Sequence, residues 1–153
     1  MVLCCCGGGG LISGVSIALK SRWNNLNIHP VEPEFWDDTK ISLKEKKRHK
    51  IINKKSSICD ALLSETPGEL TFRINKKLLS FGISVTDEQV MEAIHIAYKY
   101  LKLVIEPGGA VALAAALNYS EIVNNKNVLV ILSGGNIDKK IFLNSLKTKI
   151  KKL

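Results

Sequence analysis

Two unbroken apolar runs bracket the chain, Val2 to Cys6 (VLCCC) and Asn127 to Leu132 (NVLVIL). They are too short for helices and lack polar alternation, so they predict strands buried on both faces. After the first run, Leu11, Val15, Ala18 and Leu19 fall at helix spacing and predict a helix over 11–22. Asn27 to Glu32 reads as a second strand and Phe81 to Val85 as a short third one. Ser57 to Leu63 and Leu70 to Leu79 read as short helical or mixed segments around the Pro67-Gly68 turn. Thr86 and Gln89 have capping-box spacing and open a helix to about Leu101, with Met91, Ile94, Tyr98 and Leu101 as its buried stripe. Pro107-Gly108-Gly109 then breaks the chain before Ala110 to Leu117, whose small residues predict a helix packed closely on a sheet. A basic helix closes the sequence. Strands alternating with helices predict an α/β fold, a parallel sheet with flanking helices.

Two strand ends carry the candidate chemistry. Gly7, Gly8, Gly9 and Gly10 join the first strand to the first helix. Four glycines cost backbone entropy, and a glycine turn at a helix N-terminus offers free N–H groups and the positive end of the dipole to an anion. Gly7 to Gly10 with Leu11 therefore form a candidate phosphate or carboxylate cradle; the alternative is a turn that holds nothing. A rival reading takes Gly8, Gly10 and Gly14 as GxGxxxG, with Glu32 about 20 residues on where a dinucleotide site has its ribose-binding acid. The second strand end is Ser133-Gly134-Gly135-Asn136, which sets a hydroxyl at the same sheet edge. A phosphate site and a hydroxyl at a fixed offset suit a phosphorylated ring cofactor. Glu106, before the Pro107 break, is either a helix N-terminal charge or a site residue. His95 reads as packed or solvated, since no partner is close in sequence.

Composition narrows the classes. A chain of 153 residues, 46% hydrophobic and 24% charged, suits one soluble domain. No apolar run approaches a membrane span and no basic region precedes the opening one, so no membrane partner is expected and the cytoplasm is the expected location. The net charge of +8 gathers in Lys44 to Lys55 and Lys139 to Lys152, without interleaved aromatics, which indicates solvated surface rather than a nucleic-acid partner. Residues 44–56 lack an apolar period and are expected to form a mobile basic loop. Cys4, Cys5 and Cys6 would alternate between the faces of a strand, so they cannot converge on one ion; with Cys59 they act as small apolar residues in a reducing compartment. Glu32, Asp37 and Asp38 could supply oxygen ligands to a hard cation, or Asp38 or Thr39 could simply cap a helix.

Taken together, GGGGLISG, VEPE with DDT, SICDALL, PGELTF, Val85-Thr86-Asp87-Glu88, LKLVIEPGGAVALAAAL and VILSGGNID occur in one order that resembles the threonine/serine dehydratases. These are fold-type II enzymes that use pyridoxal 5′-phosphate, similar to serine racemase and the tryptophan synthase β chain. The resemblance covers nearly all of 1–153 and implies the carboxyl-terminal part of such a large domain. It implies that Gly7, Gly8, Gly9, Gly10 and Leu11 hold the cofactor phosphate, that Ser133 hydrogen-bonds the pyridine nitrogen, and that Glu106 lies near the ring. A hydroxyl at that nitrogen makes the ring a milder electron sink and favours elimination of a β-hydroxyl. It further implies a divalent cation at Glu32, Asp38 and the Trp36 carbonyl, an amino-acid substrate, and homo-oligomers among relatives. His29-Pro30 and Phe35-Trp36 depart from the family pattern around that cation site.

In that family the Schiff-base lysine and the clamp on the substrate carboxylate belong to the preceding half, so no catalytic residue is expected here. The expected product is a lyase fragment, inactive alone, with bare sheet edges and dependence on an amino-terminal half carried by a separate chain. The alternatives are a non-catalytic remnant of a split or decayed gene and the nucleotide-binding module.

Overall fold

The computed structural model describes residues 1–151, so Lys152, the last of the basic run, lies outside the described residues. Strand β1 (Val2–Cys5) leads through the glycines into α1 (Gly10–Lys20), and β2 (Ile28–Pro33) follows. Next come α2 (Asp38–Glu45), a single 3-10 turn (Asp60–Leu62), α3 (Glu69–Leu78) and β3 (Ile83–Val85). Helix α4 (Asp87–Ile96) runs into one π turn (Ala97–Leu101), followed by α5 (Pro107–Asn118), the short α6 (Ser120–Val123), β4 (Leu129–Val130) and α7 (Lys139–Ser145).

All strand pairs are parallel, in the order β3-β2-β1-β4. The chain steps outward from β1 to β2 to β3 and then returns to the other side of β1. That reversal makes the β1/β4 crevice the topological switch point, and open α/β sheets bind ligands there, at the carboxyl ends of the strands. The sheet separates two apolar layers. Leu3 and Cys5 face α4, α5 and Cys59, while Val2, Cys4 and Cys6 face Ile12 of α1. The three adjacent cysteines thus divide between opposite faces, and all four cysteines are buried and free.

Three expectations change. The buried stripe of α4 is Val90, Ala93 and Ile94, continued by Ala97 at the start of the π turn; Met91 is half-buried, whereas Tyr98 and Leu101 are 44% and 50% exposed. The capping box does form, with Thr86 Oγ1 accepting from Gln89 N and Gln89 Oε1 from Thr86 N. The π turn at its far end shifts the register and rotates Tyr98 and Leu101 outward. The second correction is at 127–132, which is an edge strand and not a buried one. Its ladder is two residues long and Leu129 is 49% exposed, because among the described residues nothing pairs with its outer side. Hydrogen bonds from Leu129 N to Met1 O and from Ile131 N to Leu3 O, each 3.0 Å, attach it to β1. The third concerns the bounds of the basic loop: Lys44 and Glu45 close α2, so the loop starts at Lys46, and its hydrogen bonds run from Arg48 Nε to Pro67 O, Ile51 N to Glu65 O and Trp36 Nε1 to Lys55 O.

Candidate functional site

The glycine turn is built from its carbonyls. Thr71 Oγ1 donates to Gly8 O at 2.6 Å, and Gly9 O accepts from Ser13 Oγ at 2.6 Å and from Asn75 Nδ2 at 3.5 Å. Ser13 Oγ also lies 2.9 Å from Asn75 Oδ1. In a trans peptide the N–H points opposite to the carbonyl. Pinning these two carbonyls onto α1 and α3 therefore turns the Gly9 and Gly10 N–H groups the other way, toward the cleft. Gly9 sits at φ +89°, and a Cβ there would come within 2.8 Å of Asn75, so only glycine serves. Gly10 is different: apart from its chain neighbours and the backbone of its own helix, nothing lies within 4 Å of where its Cβ would be, so the space a side chain would take stays open to a ligand.

Across the crevice, the loop after β4 is held against α5. A Cβ on Gly109 would lie 1.5 Å from Ser133 O, so the loop can reach this position only because α5 has glycine in its first turn. Glu106, at the N-cap of α5, gives that helix no side-chain cap; its Oε2 instead accepts from Asn136 N at 3.0 Å, and its backbone N donates to Gly134 O at 3.3 Å. Gly134, at φ +71°, packs directly on the Glu106 carboxylate. Glu106 thus stands at a helix start and clamps the Ser-Gly-Gly-Asn loop.

The result is a cleft of about 230 Å³ lined by Gly7, Gly8, Gly9, Gly10, Leu11, Glu106 and Ser133, with Cys5, Cys6, Ala61, Leu62 and Gly108 completing its wall. It is smaller than the roughly 300–1,000 Å³ of complete ligand pockets. The second group, with Thr71, Asn75 and Ser13 behind it, was not singled out from the sequence; the PGELTF and EPGG stretches were the available signal. Cys5 Sγ is 3.1 Å from Ser133 Oγ. The neighbouring Cys4 and the Ser133 hydroxyl hold the Cys5 thiol down to about 7 against its burial, while burial pushes Cys59 up to about 12 and raises Cys6.

No lysine lines the cleft among the described residues. Ser-x-Lys spacing occurs at Ser42–Lys44 and Ser145–Lys147, but Lys44 borders a separate groove of about 710 Å³ with Lys76 and Phe81, and Lys147 closes the turn after α7. His95 accepts no role in the cleft; its Nδ1 is 2.9 Å from Thr148 O.

The acidic stretch folds otherwise than as a self-capped helix. Asp37 occupies the N-cap of α2 without a side-chain cap. The buried Glu32 carboxylate caps it instead, accepting from Thr39 N at 2.9 Å and Lys40 N at 2.8 Å. Asp38 is buried beside it, and both its carboxylate oxygens lack a hydrogen-bond partner. Burial and the neighbouring Asp38 raise Glu32 well above the carboxylate range, and burial pushes Asp38 up to about 7. Two buried carboxylates, one with orphaned oxygens, are a donor set that a hard cation fits. Among the described residues no group of three or more His, Cys, Asp or Glu side chains is placed to hold a metal ion, so a cation at this pair would need further oxygens from backbone carbonyls or water. Asp37 turns away, to Ser84 Oγ and Lys40. Phe35 adopts φ +67°, a conformation that favours glycine.

The dinucleotide rival fails on geometry. Gly14 packs against nothing, so it provides no close helix–strand contact, and Glu32 is sealed under α2 where no ribose reaches it.

Comparison with known proteins follows the same lines. The family described as "Pyridoxal-phosphate dependent enzyme" matches residues 1–134. An L-threonine ammonia-lyase of Thermotoga maritima is 37% identical over 132 residues, 86% of this chain and 32% of that protein. A serine racemase of Dictyostelium discoideum is 38% identical over 135 residues, 86% of this chain and 41% of that protein. The processed form of threonine deaminase isoform 2 from Solanum lycopersicum superposes with a TM-score of 0.87 at 31% identity, covering 96% of this chain and 43% of that one. The chain thus spans less than half the length of these relatives. Among the described residues, no helix is long and apolar enough to cross a membrane.

Proposed function

The chain belongs to the pyridoxal-phosphate dependent enzymes, and from that premise we propose that it is the carboxyl-terminal part of a threonine/serine dehydratase-type lyase whose β1/β4 cleft binds pyridoxal 5′-phosphate. One observation carries this reading: at the switch point of the sheet, a glycine turn with its carbonyls tied back faces a serine hydroxyl across an open cleft. The Gly9, Gly10 and Leu11 N–H groups would hold the phosphate at the start of α1, where the helix dipole favours an anion. The Ser133 hydroxyl would meet the ring nitrogen, and Glu106 would keep Ser133 at that distance through the loop it clamps. When bound, the cofactor supplies an electron sink for elimination of water from a β-hydroxy amino acid, leading to a 2-oxo acid and ammonia. A divalent cation at Glu32, Asp38 and the Trp36 carbonyl would offset the buried negative charge and steady the turn from β2 into α2.

No lysine lines the cleft among the described residues, so a lysine that forms the Schiff base and accepts the substrate α-proton would come from outside it. We assign it to an amino-terminal half of the fold, on the same polypeptide or on a separate chain. The same observation favours a second reading, a remnant that binds phosphate or the cofactor without turnover. Titration of the chain with pyridoxal 5′-phosphate, alone and mixed with the amino-terminal half of a close relative, separates the two. The lyase reading expects a Schiff-base absorbance band and 2-oxo acid from serine or threonine in the mixture only. Cofactor binding without band or product in the mixture supports the remnant, and no binding at all refutes both.

A further inference from the structure

We propose that Cys5 is a positioning residue for Ser133, its thiol holding the serine hydroxyl so that the hydroxyl's own proton is directed into the cleft. The proposal rests on reading the cleft as a pyridoxal phosphate site with Ser133 at the ring nitrogen. Cys5 lies at the carboxyl end of β1 with its side chain on the α5 face of the sheet, and it lines the cleft. Its Sγ is 3.1 Å from Ser133 Oγ and is the hydrogen-bond partner of that hydroxyl among the described residues. Of the two atoms, the hydroxyl oxygen is the stronger acceptor and sulfur the weaker. Either atom can donate across this contact, but a ring nitrogen in the cleft is a better acceptor for the serine proton than sulfur is, so with the ring bound the thiol donates and the single serine proton goes to the ring. A valine or alanine at position 5 would pack equally well against the same apolar layer but would leave the hydroxyl free to rotate.

The arrangement carries a sign. Glu106 from α5, Cys59 from the segment before the 3-10 turn, and Cys4 and Cys6 on the strand itself are the titratable groups whose charges bear on Cys5. Cys4 and Ser133 hold its thiol near 7 against burial. Once the thiol loses its proton, sulfur becomes a charged acceptor and the Ser133 hydroxyl turns to it, withdrawing the donor from the cleft. Ring binding should therefore weaken as pH rises through that value.

The test uses the full chain with pyridoxal 5′-phosphate as probe, following ring absorbance across roughly pH 6–8, the range in which such a thiol titrates. The wild type should lose about fivefold in affinity over this range relative to Cys5→Ala, the loss of one hydrogen bond. Cys5→Ser, which donates without ionising, should stay at the tight value throughout. Equal pH profiles in wild type and Cys5→Ala overturn the proposal and leave the cofactor reading standing; no ring signal in any of the three overturns both. Should the position-5 variants fail to fold, the alkylation rate of Cys5 against pH decides. Ser133→Ala should raise its midpoint, and an unmoved midpoint overturns the proposal.

Discussion

Gly109→Ala is the substitution whose outcome most directly probes how Ser133 is placed. On helix propensity alone the change should help, since alanine is favoured over glycine inside a helix by about 1 kcal/mol. The structure reverses the sign. The new Cβ would lie 1.5 Å from Ser133 O and 2.7 Å from Ser133 C, against the 3.0 Å that Cβ contacts keep. Neither neighbour is a flexible side chain, so either α5 or the Ser-Gly-Gly-Asn loop has to move by more than an ångström. Overpacking of this kind costs roughly 1–3 kcal/mol, which in a domain of this size lowers Tm by roughly 3–10 °C. The loop is attached to β4, the edge strand, and α5 is buried between the sheet and α4, so the loop is the part that yields. Pyridoxal 5′-phosphate affinity should then fall by at least tenfold, because Ser133 and the Glu106 clamp move together away from the glycine turn. Thermal melting and equilibrium titration of the purified variant measure both effects. Gly14→Ala is the control: its Cβ meets nothing within 4 Å on α1, so it should gain roughly 0.5–1 kcal/mol and leave binding alone. A Gly109→Ala protein that melts at or above the wild-type temperature with unchanged affinity refutes the packing of the loop against α5.

Other substitutions probe the supports around the cleft. Thr71→Val removes the hydroxyl that ties back Gly8 O and should weaken phosphate or cofactor binding about fivefold, read by the same titration, while costing roughly 1 kcal/mol in denaturant melts. Thr86→Ala should cost roughly 1 kcal/mol by loss of the α4 capping box and leave cofactor affinity unmoved. The Glu32–Asp38 pair makes stability pH-dependent: in the unfolded chain both carboxyls ionise near pH ~4, whereas in the fold Glu32 is raised and Asp38 reaches about 7. The native state thus holds extra protons, and stability is full below pH ~4 and is lost as pH rises to about 7. Calcium or magnesium should restore Tm above pH ~7 in the wild type and fail to do so in Asp38→Asn; a Tm that ignores both pH and cation refutes the pairing.

What the sequence disclosed depended on how local each determinant was. The β1–glycine–α1 unit, the Thr86/Gln89 box and the close-packed α5 were legible because spacing, turn residues and small side chains encode them within a dozen residues. The edge position of β4 was not, since NVLVIL reads the same whether or not another strand lies beyond it. The α4 stripe was misplaced at Tyr98 and Leu101 because one π turn breaks the 3.6-residue period. The cap on α2 escaped notice for the same reason in another form: Glu32 reaches it from β2, six residues upstream of Asp38, through a fold that aligns a strand end with a helix start. Among the site residues, the glycines and Ser133 were visible as punctuation after strands, whereas Asn75 and Cys5 act on atoms 66 and 128 residues away.

That long-range dependence has a consequence for how the cleft is completed. Its two walls are unequally supported. The glycine turn is part of a β1–α1 unit flanked by β2 and tied to α3, but Ser133 follows an edge strand with a two-residue ladder. On that side the hydroxyl is fixed mainly by Glu106, Gly109 and Cys5. An element that pairs with the free side of β4 would remove motion from this wall, and cofactor in the cleft would in turn favour the pairing, because the two effects are one coupling free energy. If the amino-terminal half of a relative supplies such an element, it should tighten pyridoxal 5′-phosphate binding even when its own Schiff-base lysine is replaced by alanine. The measurement is the cofactor dissociation constant with and without that lysine-free half. A gain of about fivefold or more, corresponding to roughly 1 kcal/mol of coupling, identifies closure of the β4 edge as a contribution separate from the Schiff base. An unchanged constant, with the two chains shown to associate, means that Ser133 is already held as firmly as α5 can hold it.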